Sequence, residues 1–325
     1  MPTSILVCGS ISYDTIMEFP DRFQNHMLSG DSNLLNLAFH VTSLRREFGG
    51  CAANICYNMK MLGCNAVPVA TVGSDFSSYS QWLSKNSIPQ KYINIAEDCC
   101  TAQDFITSDI DNNQIATFYP GAMDYACKNR LQDLEDVSIG VISPDSIKAM
   151  REHALDFENA SIPFLFDPGQ TTPLFNEIEL TTFIEKADWA IFNAYEWQVF
   201  QEKTNLNHGD VCGKVKALIV TAGSEGSTIY HDDKVVHVPS AKVSFGKDPT
   251  GCGDAYRAGL LFGVSNNLDW ETCGRIASVM GAYSYESQGS QNHCFTPSEA
   301  YERYSHNYGE NKPLLIALQN VHQQS

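Results

Sequence analysis

The feature that most restricts the fold of this 325-residue chain is a series of short apolar runs that do not alternate strictly. The clearest are Ile5–Cys8, Val67–Val72, Ile139–Ser143, Pro163–Phe166, Trp189–Phe192 and Ala217–Val220. A strand with one wet face alternates apolar and polar residues, whereas a strand covered on both faces does not. Helix-like stretches separate the runs. Ala52–Leu62 sets Ile55, Cys56, Met59 and Leu62 at helical spacing, and Gly63 follows as a stop. Strand–helix units of this kind predict an α/β fold: a doubly wound, mostly parallel sheet covered by helices.

Two segments break the rhythm. Ser12–Phe48 and Thr101–Gly121 alternate and contain no good helix. Within the second, Asp104–Ile110 and Gln114–Tyr119 flank Asp111-Asn112-Asn113. Asn and Asp tolerate left-handed turn conformations, so this stretch predicts a β-hairpin. The two segments are expected to pair into a small sheet that covers a site at the carboxyl ends of the parallel strands.

Composition narrows the function. The net charge of −17 argues against nucleic-acid binding, which needs clustered Lys and Arg to neutralise phosphates. No run approaches the roughly 20 apolar residues of a membrane span. The N-terminal apolar stretch is too short for a signal peptide. The eleven cysteines form no CxxC pair, which reads as reduced thiols and a cytoplasmic location. The nine histidines show no HExxH, so a zinc site is not expected.

The most informative stretch is Asp248-Pro-Thr-Gly-Cys-Gly-Asp254, followed by the apolar run Ala255–Phe262. Gly251 and Gly253 at a loop-to-helix junction let backbone N–H groups converge, and the helix N-terminus adds partial positive charge. Together they make an anion site. Asp254 falls in the first helical turn. An acid there complements the helix dipole, or it takes the proton from an attacking hydroxyl while the amides stabilise a transferring phosphoryl group. Tyr256 stands three after Gly253 where a dinucleotide fingerprint would have Gly, and no P-loop is present. A second glycine pair, Gly49-Gly50, lies between a strand-like segment and the helix carrying Asn54. It suits a hinge or close ligand approach. Asn54 would either start the helix or hydrogen-bond a hydroxyl.

These two stretches resemble the paired signatures of the ribokinase/PfkB family, and the likeness spans nearly the whole chain. Asn193-Ala-Tyr-Glu196 is similar to the family's NxxE motif, Gly9-x-x-x-x-Asp14 to its early substrate Asp, and Thr221-x-Gly223 with Gly226 to its nucleotide turn. The resemblance implies a ribokinase-like α/β domain over 1–11, 49–100 and 122–325, with a β lid over 12–48 and 101–121. It implies Asp254 as general base, with the amides of Gly251, Cys252, Gly253 and Asp254 as the anion hole. Asp14, Gly49, Gly50 and Asn54 would hold acceptor hydroxyls. Thr221, Gly223, Gly226 and Thr250 would line ATP.

Asn193 and Glu196 would act on Mg2+ through water, with no direct side-chain ligand to the metal. The same pair also reads as a helix capping box. Some relatives bind K+, and Asp248, Thr250 and the loop at Gly289 stand where it would sit.

Several stretches resemble the bacterial adenosine/nucleoside kinase branch: Arg45–Ala52, Asp111–Ile115, Phe166-Asp167-Pro168-Gly169-Gln170 and Pro249–Cys252. That branch implies phosphorylation of the 5′-hydroxyl of adenosine, inosine or a related nucleoside. Gln114 and Phe118 would lie on the acceptor side, and Phe39 and Tyr119 are further aromatic candidates for a base wall. The alternative is a ribose- or fructose-type sugar kinase with the same machinery. A monomer and a homodimer paired through the lid are both compatible with the sequence.

Overall fold

Two sheets carry the architecture of this computed structural model, which describes residues 4–26, 37–111 and 113–322. Among these residues the strands are β1 (Ser4–Cys8), β2 (Ser12–Glu18), β3 (Ser43–Gly49), β4 (Ala66–Gly73), β5 (Tyr92–Ala96), β6 (Ala102–Ser108) and β7 (Gln114–Tyr119). They continue as β8 (Val137–Ile142), β9 (Phe164–Phe166), β10 (Trp189–Asn193), β11 (Ala217–Thr221), β12 (Ser227–His231) and β13 (Lys234–Val238). The helices are α1 (Cys51–Met61), α2 (Ser77–Lys85), α3 (Ile147–Asn159), α4 (Glu177–Lys186) and α5 (Ala194–Thr204). After them come α6 (His208–Cys212), α7 (Cys252–Ser265), α8 (Trp270–Tyr285), α9 (Pro297–Tyr308) and α10 (Lys312–His322).

The large sheet has the order β13-β12-β11-β10-β9-β8-β1-β4-β5. It is parallel from β5 to β11, and β12 and β13 add an antiparallel edge. All six expected strands are present within two residues of their expected ends. Their lack of alternation has a direct cause. Ile5 and Val7 pack into one core cluster, and Leu6 and Cys8 into another on the opposite face. Each such buried side chain contributes on the order of 1.5–3 kcal/mol. Edge strand β5 and the β12–β13 hairpin escaped the apolar-run criterion, because their residues are largely part-exposed.

The chain leaves β1 toward β4 and β5 on one side and returns through β8 on the other. The carboxyl ends of β1 and β8 therefore flank a topological switch point, where open α/β sheets bind ligands. Helix α1 starts there: Cys51 N donates to Ser10 Oγ at 3.1 Å and Ala52 N to Ser10 O at 3.1 Å.

The small sheet has the order β3-β2-β6-β7 and is built from the two segments that broke the helical rhythm. The turn between β6 and β7 is organised by Asp109, whose carboxylate accepts from the backbone N–H groups of Asp111 and Asn113 at 2.9 Å each. Asn112, expected at the turn centre, lies outside the described residues, as do residues 27–36 of the first segment.

Candidate active site

Cross-strand register decides which residues of the small sheet share a face. Asp14 stands opposite Glu47 on β3 and Asp104 on β6, and Asp104 stands opposite Phe118 on β7. These four form one row. Asp14 is buried and takes a hydrogen bond from Ser12 Oγ at 3.0 Å. Burial pushes its carboxyl up to about 7, with Asp104, Asp254 and Glu47 adding to the rise.

Gly49 and Gly50 make room for this row. A Cβ on Gly49 would collide with the Asp14 carboxylate. Gly50 has φ +93°, and a Cβ there would lie 2.6–2.7 Å from backbone atoms of Ser10, Ile11 and Ser12. The pair is thus a close-approach device as well as a joint between sheet and helix.

Asn54 projects from the first turn of α1 and donates through Nδ2 to Asp254 Oδ2 at 2.8 Å. Its other end accepts from Gln291 Nε2 at 2.8 Å. Gln291 is itself held by Trp82 Nε1 at 2.8 Å and the Tyr79 hydroxyl at 2.7 Å. A fully engaged carboxamide keeps one orientation.

Asp254 sits in the first turn of α7, whose N-cap Gly251 has φ +79°. Among the described residues, no hydrogen bond takes up the N–H groups of Gly251, Gly253 or Asp254. Cys252 differs from expectation. Its N–H donates to Pro249 O at 3.2 Å, so the open donors number three rather than four. Three unpaired donors at a helix N-terminus form a ready anion site. Burial pushes the Asp254 carboxyl up to about 6, against the pull of Arg257 and the Asn54 hydrogen bond. A carboxylate with that value is ionised near neutrality yet basic enough to accept a proton.

Arg257, one helical turn beyond Asp254, is buried and forms a fork with Asp167 through Nε and, at 2.6 Å, Nη2. It also faces Glu196 and Asp254, a guanidinium among three carboxylates. Glu196 is buried and raised by desolvation, with Arg257 opposing.

Asn193 and Glu196 form the capping box of α5. Asn193 N donates to Glu196 Oε2 and Asn193 Nδ2 to Oε1, both at 2.7 Å, and Glu196 N donates to Asn193 Oδ1 at 2.8 Å. Asn193 stands opposite Thr221 at the carboxyl ends of β10 and β11, so these two lie side by side. Gly223 has φ +56° with open space where a Cβ would be. Gly226 has φ +93°, but its close neighbour is the chain's own Val238 carbonyl, which marks a packing role. Thr250 N donates to Asp248 Oδ1 at 3.0 Å and shapes the loop before the anion site.

The remaining expected residues separate. Phe118 shares the Asp14 face and is half-exposed. Gln114 is on the same face but four residues along β7, roughly 13 Å away at strand rise. It belongs to the tip of the sheet. Tyr119 is on the opposite face, and Phe39 packs with Phe19 and Phe23 at centroid distances of 4.9 and 5.0 Å. Of the two arginines beside the glycines, Arg46 lies over the Tyr13 ring at 3.7 Å and Arg45 reaches Asp248 at 3.3 Å.

Sequence reasoning missed Gln291, Arg257 and Asp104 as site residues. Arg257 was detectable, since i and i+3 share a helix face. Gln291 carries no local signal.

Two glycine-rich signatures far apart in sequence thus meet at one carboxylate, with an acid row on one side and three open amides on the other. The pattern of the pfkB family carbohydrate kinases matches residues 4–298. The chain belongs to the PfkB family. This PfkB kinase is 32% identical over 270 residues to a nucleoside kinase of Methanocaldococcus jannaschii, covering 82% of this chain and 89% of that one. It also resembles a nucleoside kinase of Burkholderia thailandensis solved in complex with inosine, at 39% identity and a TM-score of 0.88, covering 94% of this chain and 99% of the other. The ADP-inosine complex of that enzyme gives 39% identity and a TM-score of 0.85, with 95% and 98% covered. Among the described residues, no helix is long and apolar enough to cross a membrane.

Proposed function

We propose that this PfkB kinase transfers the γ-phosphoryl group of ATP to the 5′-hydroxyl of a nucleoside, adenosine or inosine first. The observation that carries the reading is the placement of Asp254. Its carboxylate is fixed by Asn54 at 2.8 Å on the acceptor side and stands at the mouth of the open amides of Gly251, Gly253 and Asp254 itself. A hydroxyl resting on Asp254 faces a phosphoryl group resting on the amides. Asp254 Oδ takes the hydroxyl proton as the oxygen attacks the γ-phosphorus, the bond from phosphorus to the β–γ bridging oxygen breaks to release ADP, and the amides take the charge that develops on the phosphoryl oxygens.

The acceptor side favours an uncharged substrate. Glu47, Asp14 and Asp104 lie in one row, and an anionic sugar phosphate would meet carboxylates there. Asp14 can accept from two vicinal ribose hydroxyls, and Phe118 offers an aromatic face one pair further along the row. The relatives that are nucleoside kinases support this reading over a ribose- or fructose-type kinase.

Thr221 and the open backbone of Gly223 are assigned to the nucleotide. Mg2+, when bound, neutralises charge on the β- and γ-phosphate oxygens. Glu196 and Asn193, at the carboxyl end of β10, would act on the ion through its waters, with phosphate oxygens as its direct ligands. K+ does not fit its expected site. The Asp248 carboxylate already receives the N–H groups of Thr250 and Gly289, each at 3.0 Å, and the Arg45 guanidinium at 3.3 Å. A second cation beside Arg45 would meet like charge, so no step here uses K+.

The sheet β3-β2-β6-β7 is read as a lid that excludes water from the transfer. Its edge strand β7 is exposed throughout, and Leu44, Phe105 and Ile115 are exposed on its outer face. That face is the one a lid-paired dimer would use.

The test is ADP release from Mg-ATP with adenosine, inosine, cytidine, ribose and fructose 6-phosphate as separate acceptors. Turnover with adenosine or inosine and little with the free sugars is expected. Turnover with a sugar alone would sink the nucleoside assignment while keeping Asp254.

A further inference from the structure

In the reading above Asp104 only adds negative charge to the acid row, yet its Oδ1 is buried without a hydrogen-bond partner among the described residues. A buried polar atom left unpaired costs on the order of 1–3 kcal/mol. Such an atom calls for an explanation, and a ligand that pairs it is one.

Its surroundings say which ligand group. Asp104 is directly opposite Asp14 on the inner side and Phe118 on the outer side. Paired residues project to the same face, so the Asp104 carboxylate lies between the acid that meets the ribose and a half-exposed aromatic ring. The ribose hydroxyls have acceptors in Asp14 and Asp254. A planar base laid on Phe118 would present its edge to Asp104. An unprotonated carboxylate only accepts hydrogen bonds. The matching group on a base edge is an N–H, such as the amino group of adenine or the ring N–H of hypoxanthine.

We propose that Asp104 is a specificity-determining residue that accepts a hydrogen bond from an N–H donor on the edge of the nucleobase. The inference rests on the nucleoside-kinase reading and deepens it. Removing an unpaired group from a base-reading position raises KM for bases that carry the donor and leaves the rest of the machinery intact.

The experiment compares wild type, Asp104→Ala and Asp104→Asn with inosine, adenosine and purine riboside, whose base has no N–H. The expected result is a KM for inosine and adenosine at least tenfold higher in Asp104→Ala, with purine riboside changed less than twofold and kcat within threefold. Asp104→Asn, which keeps a carbonyl acceptor, should recover much of the loss. The ligand-free melting temperature should not fall in either variant, because the buried oxygen has no partner to lose.

An equal rise in KM for all three substrates would place Asp104 on the sugar and overturn the proposal. So would an unchanged KM for inosine, or a clearly lower melting temperature with kcat and KM falling together. Absence of ADP release by the wild type with every nucleoside is a different failure, that of the nucleoside reading itself.

Discussion

Asn54 and Asp254 are 200 residues apart in the chain and 2.8 Å apart in space, Nδ2 to Oδ2. This one bond joins the starts of α1 and α7, and with them the two glycine-rich signatures. It also turns the lone pairs of Asp254 in a fixed direction.

Replacing Asp254 by Asn is therefore a mild structural change with a severe chemical one. The amide still accepts from Asn54, but it cannot take a proton. Turnover should fall by roughly 10²–10⁴, the usual worth of general-base catalysis. Nucleoside and ATP affinities, measured by calorimetry, should stay within a few-fold. Normal turnover would show that Asp254 is not the base.

The pH profile follows from the same carboxyl. Asp254 is pushed up to about 6 and must be ionised to act. The rate should hold above that value and fall as pH drops through about 6. Arg257 pulls the carboxyl down, so Arg257→Met should move the acid limb to higher pH. A limb that stays put in the variant would refute the coupling.

Stability of the ligand-free protein should run the other way. Burial holds the carboxyl of Asp14 at about 7 and that of Asp145 at about 8, both well above the usual carboxylate range. The folded state binds these protons more tightly than the unfolded chain. Their stabilising contribution is complete below about pH 4 and is lost as pH rises through 7 to 8. Asp14→Asn should flatten part of that slope in melting curves taken from pH 5 to pH 8.

Two glycines separate function from packing. Gly49→Ala would push a Cβ into the Asp14 carboxylate. It should raise KM for the nucleoside more than tenfold and leave KM for ATP within twofold. Gly226→Ala would press against the Val238 carbonyl at φ +93°. Its expected effect is a melting temperature lower by several degrees, seen in the absence of any ligand.

Chelation of divalent cations should abolish ADP release, and added Mg2+ should restore it. Exchange of K+ for tetramethylammonium should change the rate less than twofold, since Arg45 already supplies positive charge at Asp248. A rate that collapses without K+ would show that the Asp248 carboxylate has room for a second cation.

Much of this was legible in one dimension. Runs such as Ile5–Cys8 and Ala217–Val220 announced strands buried on both faces, because both faces of the large sheet are covered. The junctions at Gly50 and Gly251 were visible because only glycine takes φ +93° and +79° there without strain. The capping box of Asn193 and Glu196 was visible because its two residues stand only three positions apart. Signals of this kind are local.

Other features had no local signature. The cross-strand row Glu47–Asp14–Asp104–Phe118 joins four strands, and a shift of one residue in any of them would have turned its member to the other face. That same register left Gln114 at the sheet tip and Tyr119 on the far side. Gln291 reaches Asn54 across 237 residues.

The sequence by itself determined the element types, the glycine joints and the acid at the head of α7. These follow from backbone sterics, apolar period and helix-end chemistry, all of which act over a few residues. Only the tertiary structure decided which side chains meet: Asn54 with Asp254, Arg257 with Asp167, and Asp104, whose Oδ1 has no partner among the described residues. Those pairings depend on strand register and helix docking, which are set by the packing of the whole core.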